Sequence, residues 1–143
     1  MYQKVLVPLD GSALAECSLS HVGNLVKEGS VGEVMLLNVV KIDLPMAEGA
    51  AATYKEWADI KKQAAEQSRK YLASVAARLG SEGIKVRTES IEDSWPARTI
   101  ADYAHKNKVE MIVLTTHGYT GLKKMLFGSV ALGVIHDSHV PVL

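Results

Sequence analysis

Two stretches of the 143-residue chain carry residue types that could do chemistry. The first is Pro8-Leu9-Asp10-Gly11-Ser12, where a carboxylate, a glycine and a hydroxyl close a short apolar run. A carboxylate so placed can accept hydrogen bonds from a sugar hydroxyl or an amine, and Asp10 and Ser12 can equally cap the helix that follows. The second stretch is Thr115-Thr116-His117-Gly118-Tyr119-Thr120-Gly121-Leu122, running on through Lys123 and Lys124 to Phe127-Gly128-Ser129. It exceeds the usual connection of about 2–6 residues, so it does more than join two elements. Gly118 and Gly128 let another group approach the backbone, and Ser129 opens a helix. Unpaired amides at the positive end of a helix dipole suit an anionic phosphate chain. Taken alone, the Gly-Ser pair reads more simply as an ordinary helix start.

Other chemistries find less support. Neither the P-loop spacing Gly-x4-Gly-Lys-Ser/Thr nor the dinucleotide fingerprint Gly-x-Gly-x-x-Gly occurs. His136 and His139 stand three apart with no third ligand evident, which fits solvated or capping histidines better than a metal. Ser12, His117 and Asp10 include the residue types of a catalytic triad, but the sequence supports their assembly only weakly. No residue is committed to base chemistry, so at most slow hydrolysis is expected of any bound ligand. Lysine plus arginine and aspartate plus glutamate each number 16, for a net charge of zero. Nucleic-acid binding needs clustered positive charge to release counterions, so no nucleic-acid partner is expected.

Cys17 is the one cysteine, which excludes an intrachain disulfide. It falls among apolar helical positions and is predicted to be buried and inert. No apolar run approaches the roughly 20 residues that span a bilayer. Met1-Tyr2-Gln3-Lys4-Val5 leads directly into a strand and shows no signal-peptide pattern. These features predict a cytoplasmic protein with no membrane partner.

The elements that must position the two stretches alternate along the chain. Apolar runs predict strands at Val5–Val7 closed by Pro8, at Val34–Val40, at Ile84–Ser90, at Met111–Leu114 and at His139–Leu143. Helical spacing links them through Leu14, Val22 and Leu25, then Ala97, Ile100 and Ala104, and finally from Ser129 to about Asp137. The clearest helix carries a stripe of Trp57, Ile60, Ala64, Ser68, Tyr71, Leu72, Val75 and Leu79, read as core. Alternation of strand and helix predicts an α/β, Rossmann-like open parallel sheet of five strands with helices on both faces, in a single domain spanning 1–143. Continuous apolar strands belong in the middle of such a sheet. The alternating third strand and the proline-bearing fifth belong at its edges. The order 3-2-1-4-5 follows, reversing between the first and fourth strands, and ligands bind at the carboxyl ends beside such a reversal.

These motifs resemble the universal stress protein family. Pro8-Leu9-Asp10-Gly11-Ser12 is similar to its opening signature. Thr116-His117-Gly118, nine residues, then Gly128-Ser129 resembles its ATP-binding motif, Gly-x2-Gly-x9-Gly-Ser/Thr. Leu36-Leu37-Asn38-Val39 and Val140-Pro141-Val142-Leu143 resemble its second and final strands. The resemblance implies that Asp10, beside Pro8 and Leu9, contacts a ribose and that the backbone at Val39 holds adenine. It further implies that Gly118, Gly128, Ser129 and Val130 bind phosphates, with Thr115 and His117 lining the loop. Thr115 departs from the motif by standing in place of its first glycine, where a side chain would crowd the phosphates or offer them a hydroxyl.

The resemblance therefore implies a regulatory protein that binds ATP, or ADP or AMP, with Mg²⁺ as a companion of ATP. It also implies a homodimer formed through the fifth strand. The competing expectation is a dimeric interaction protein of the same fold whose nucleotide site is vestigial.

Overall fold

The computed structural model describes residues 1–42, 54–115 and 126–143. The elements run β1 (Tyr2–Pro8), α1 (Ala13–Lys27), β2 (Val31–Val40), α2 (Tyr54–Ser81), β3 (Val86–Glu92), α3 (Pro96–Lys106), β4 (Met111–Ile112) and α4 (Leu126–Asp137). The strands form a parallel sheet in the order β3-β2-β1-β4. Order and reversal agree with the expectation for the first four strands. The fifth does not form as a strand: among the described residues, the segment expected to supply it makes a single parallel bridge, Val142 to Ile112. Three hydrogen bonds hold it there, from Ile112 to the Pro141 carbonyl, from Leu143 to the Ile112 carbonyl, and from Leu114 to the Leu143 carbonyl. Pro141 has no N–H to donate, so the ladder cannot extend through it.

The pleat sends alternate side chains to opposite faces, and both faces are covered. Val5, Val7 and Leu9 of the first strand segment and Val34 and Leu36 of β2 pack with Leu19 and Val22 of α1 and Leu72, Val75 and Leu79 of α2. Leu6, Met35, Leu37 and Ile112 pack on the other side with Ile100 and Ala104 of α3 and Ala131 and Val134 of α4. Burying a side chain of this size stabilises by about 1.5–3 kcal/mol. An exposed ion pair gives at most about 1 kcal/mol, so pairs such as Lys27–Glu82 at 3.6 Å are secondary to these two apolar layers.

β3 is an edge, as its alternating texture predicts, and its Arg87 Nε lies 2.7 Å from the buried Glu33 carboxylate of β2. Cys17 corrects an expectation: it is exposed, and its neighbour Ser18 occupies the core position with its hydroxyl donating to the Ala15 carbonyl at 2.8 Å. No described helix is long and apolar enough to cross a membrane.

Candidate functional site

The chain leaves β1 through Pro8 and Leu9, both buried, and turns at Asp10 and Gly11. Gly11 has φ +87°, a conformation that side chains disfavour. Asp10 Oδ1 accepts hydrogen bonds from the Ser12 N–H at 2.8 Å and the Ser12 hydroxyl at 2.5 Å. Ser12 is the N-cap of α1, its Oγ accepting from the Ala15 N–H at 3.1 Å. The capping reading of these residues is therefore correct as far as it goes. Both contacts of Asp10 fall on Oδ1, however, and the residue is exposed, which leaves Oδ2 able to accept from another donor.

Beside this turn lies an open crevice of about 490 Å³ at the carboxyl end of the sheet. Pro8 to Gly11 line it from the β1 turn, Leu37 to Lys41 from β2 and its end, and Val130 from the first turns of α4. Pro96 and Ile100 contribute from α3, and Ala64, Gln67, Ser68 and Tyr71 from α2.

The ladder between β1 and β2 ends at Pro8 opposite Leu37, and the Leu9 N–H makes the last bond, to the Leu37 carbonyl at 2.8 Å. On the other side of β2, the Val40 carbonyl accepts from the Asp93 N–H at 3.1 Å. In a parallel ladder both polar groups of one residue face the same neighbour, and successive residues alternate. The N–H and C=O of Val39 therefore face the β1 side, beyond the point where β1 turns away. They present an adjacent donor and acceptor to the crevice.

The sequence model of the universal stress protein family matches residues 1–143. The chain belongs to the universal stress protein family. Universal stress protein MJ0531 of Methanocaldococcus jannaschii is 36% identical over 147 residues, which cover 100% of this chain and 81% of that protein. MJ0577 of the same organism is 32% identical, with 100% and 94% covered. Its solved structure gives a TM-score of 0.81 over 100% of this chain and 94% of that one. A family protein of Arabidopsis thaliana solved with AMP bound shares the fold alone, at TM-score 0.69 and 13% identity over 99% of this chain and 89% of that one.

In this universal stress protein the first residue of the second stretch, Thr115, reaches the start of α1, just past the first stretch. The Thr115 hydroxyl donates to the Leu14 carbonyl in the first turn of α1 at 3.0 Å. Thr115 does not line the crevice and has no positive φ, so its backbone does not require the glycine that the family motif places there. Pro8, Leu9, Asp10, Val39 and Val130 share the crevice. Gly128 and Ser129 precede Val130 within α4. His117 and Gly118 lie outside the described residues. Among the described residues no three His, Cys, Asp or Glu side chains converge on a metal site.

The α2 wall escaped sequence reasoning because its stripe reads as uniform core. Of the stripe read as core, Ser68, Leu72, Val75 and Leu79 are buried, whereas Ile60 is exposed and Trp57 half-buried, and Ala64, Ser68 and Tyr71 face the crevice together with Gln67. Ser68 is held against the sheet by its hydroxyl, 2.7 Å from that of Ser90 in β3.

Tyr71 yields a stability prediction. Its hydroxyl is buried and lies near the Glu16 carboxylate, but makes no hydrogen bond of good geometry there, since that carboxylate pairs with Arg78. Burial first, then Glu16, then Asp10 push its pKa up from 10.0 to about 12. An unmet buried donor costs about 1–3 kcal/mol, so Tyr71→Phe is expected to stabilise by about 1 kcal/mol and raise Tm by about 3 °C. The folded value lies above the unfolded one, so wild-type stability is full below pH 10 and falls as pH rises from 10 toward 12. Urea melts at pH 7 and pH 11 should therefore show a wider gap between the two proteins at pH 11. A lower Tm in the phenylalanine variant would mean that the hydroxyl has a native partner.

Proposed function

We propose that this universal stress protein binds an adenine nucleotide, ATP in the first instance, and acts as a cytoplasmic regulatory module with at most slow hydrolysis. The observation that carries this reading is the exposed main-chain donor and acceptor of Val39 at the sheet reversal. Adenine matches them, with N1 accepting from the N–H and the 6-amino group donating to the C=O. Asp10 stands beside the same crevice to accept from a ribose hydroxyl. The N-terminal turn of α4, from which Val130 enters the crevice, offers the positive end of the helix dipole to the phosphates. Gly128 and Ser129 lie in that turn, and the family resemblance assigns Thr115, His117 and Gly118 to the same phosphate-binding motif. Mg²⁺ would accompany a triphosphate through its oxygens. The AMP found in the Arabidopsis protein of this fold agrees with the reading.

Calorimetric titration with ATP and Mg²⁺ should give saturable heat. No heat at millimolar ATP would sink the proposal. The vestigial-site reading predicts that wild type is inactive and that Thr115→Gly creates binding. With the Thr115 hydroxyl held by Leu14, outside the crevice, that substitution is expected to leave ATP affinity unchanged.

A homodimer is part of the proposal. Leu132 and Ile135 of α4 are 66% and 51% exposed, and Leu143 beside the β4 edge is 61% exposed. Large apolar side chains in such numbers fit a surface that a second copy covers. Sedimentation should show a dimer at micromolar concentration that Leu132→Glu disrupts.

A further inference from the structure

The crevice contains two carboxamides that adenine binding through Val39 leaves unused. Asn38 and Gln67 both line it, one from the end of β2 and the other from α2. Neither makes a side-chain hydrogen bond within the described residues. Asn38 is half-buried, so its unmatched amide is not simply a solvated surface group.

Their placement follows from the fold. Val34 and Leu36 face α1 and α2, and two-residue periodicity puts Asn38 on that same face. Asn38 pairs in register with Ser90, whose hydroxyl meets Ser68 of α2 at 2.7 Å. Gln67 lines the same crevice from α2, opposite the end of β2. Ala64, three residues before it, is small and keeps that wall open.

We infer that Asn38 and Gln67 read the N7 side of the purine, selecting a 6-aminopurine nucleotide through its N7 acceptor and 6-amino donor. This deepens the proposed function and rests on it. A carboxamide offers a donor beside an acceptor, the complement of adenine's N7 and 6-amino group. A 6-oxopurine presents acceptors at both positions and would set its oxygen against the amide oxygen. Val39 faces N1 and the amides face N7, so the two contacts can be probed separately.

The experiment compares ATP with 7-deaza-ATP, which lacks only the N7 acceptor, on wild type, Gln67→Ala and Asn38→Ala/Gln67→Ala. Losing one hydrogen bond should make 7-deaza-ATP bind wild type about 5-fold more weakly than ATP. In the double variant the two ligands should bind alike, and both more weakly than 7-deaza-ATP binds wild type, because the contact to the 6-amino group is lost as well. Gln67→Ala, an exposed helix position given a strong helix former, should fold normally and show part of this loss. Equal binding of both ligands to wild type would overturn the inference while leaving adenine-nucleotide binding intact. So would a 7-deaza penalty that persists in the double variant. No ATP binding to wild type would overturn the proposed function and this inference together.

Discussion

Asp10→Ala is expected to raise the Kd for ATP about 10- to 100-fold, the worth of a hydrogen bond to a charged group. The turn supplies the reason. Oδ1 of Asp10 is occupied by Ser12, and Oδ2 remains for a ribose hydroxyl. The alanine variant loses both roles, so its folding must be followed by thermal melting alongside binding. Ser12 still caps α1, and the expected stability loss is within about 1 kcal/mol. Asp10→Asn separates the two roles, because its amide oxygen can keep the contacts with Ser12 while the charge is gone. Its melting should match wild type, and its ATP affinity should fall between those of wild type and the alanine variant. Dideoxy-ATP, which lacks the ribose hydroxyls, should bind wild type about as weakly as ATP binds Asp10→Ala. A folded alanine variant with undiminished affinity would remove Asp10 from the site.

Gly133→Ala should lower stability by about 1–3 kcal/mol, which corresponds to a fall in Tm of roughly 4–10 °C. A Cβ at Gly133 of α4 would lie 2.6 Å from the Cβ of Ala97 at the start of α3. Carbon atoms pack best at about 3.5–4.0 Å, so the two helices must separate. Alanine's better helix propensity returns about 1 kcal/mol, and the observed change tests which effect is larger. Because Val130 stands one turn before Gly133 and lines the crevice, ATP affinity should fall as α4 moves. Ala97→Gly removes the opposing methyl and should recover much of the loss in the double variant. A stabilised Gly133→Ala protein would show that α3 and α4 are packed less closely than the Cβ distance indicates.

The strands were legible because burial on both faces leaves a direct mark, and continuous apolar runs at Val5–Val7 and Val34–Val40 fell in the middle of the sheet. The edge character of β3 was legible from its charged alternation. The fifth strand was not, because apolar residues at Val140 and Val142 fit a ladder that Pro141 cannot continue. Cys17 was expected inside because it and its neighbour Ser18 fit the helical stripe almost equally, and one residue of rotation puts Ser18 there instead. At the site, the two loops stood out by composition, whereas the α2 wall did not. Its residues share the period of the core below them, and only the tertiary contact of Ser68 with Ser90 reveals where the stripe passes from core to crevice.

The end of β2, open on its β1 side, has a bearing on how such sites can be found and altered. In the proposed adenine contact, partnering at residue 39 would fall to the peptide unit, which every amino acid but proline supplies alike. Valine could drift to isoleucine or leucine there with no change in base choice, so inspection of side chains would overlook the position. Redirecting the site toward another base would accordingly require changes in the surrounding walls, since position 39 itself offers no replaceable specificity group.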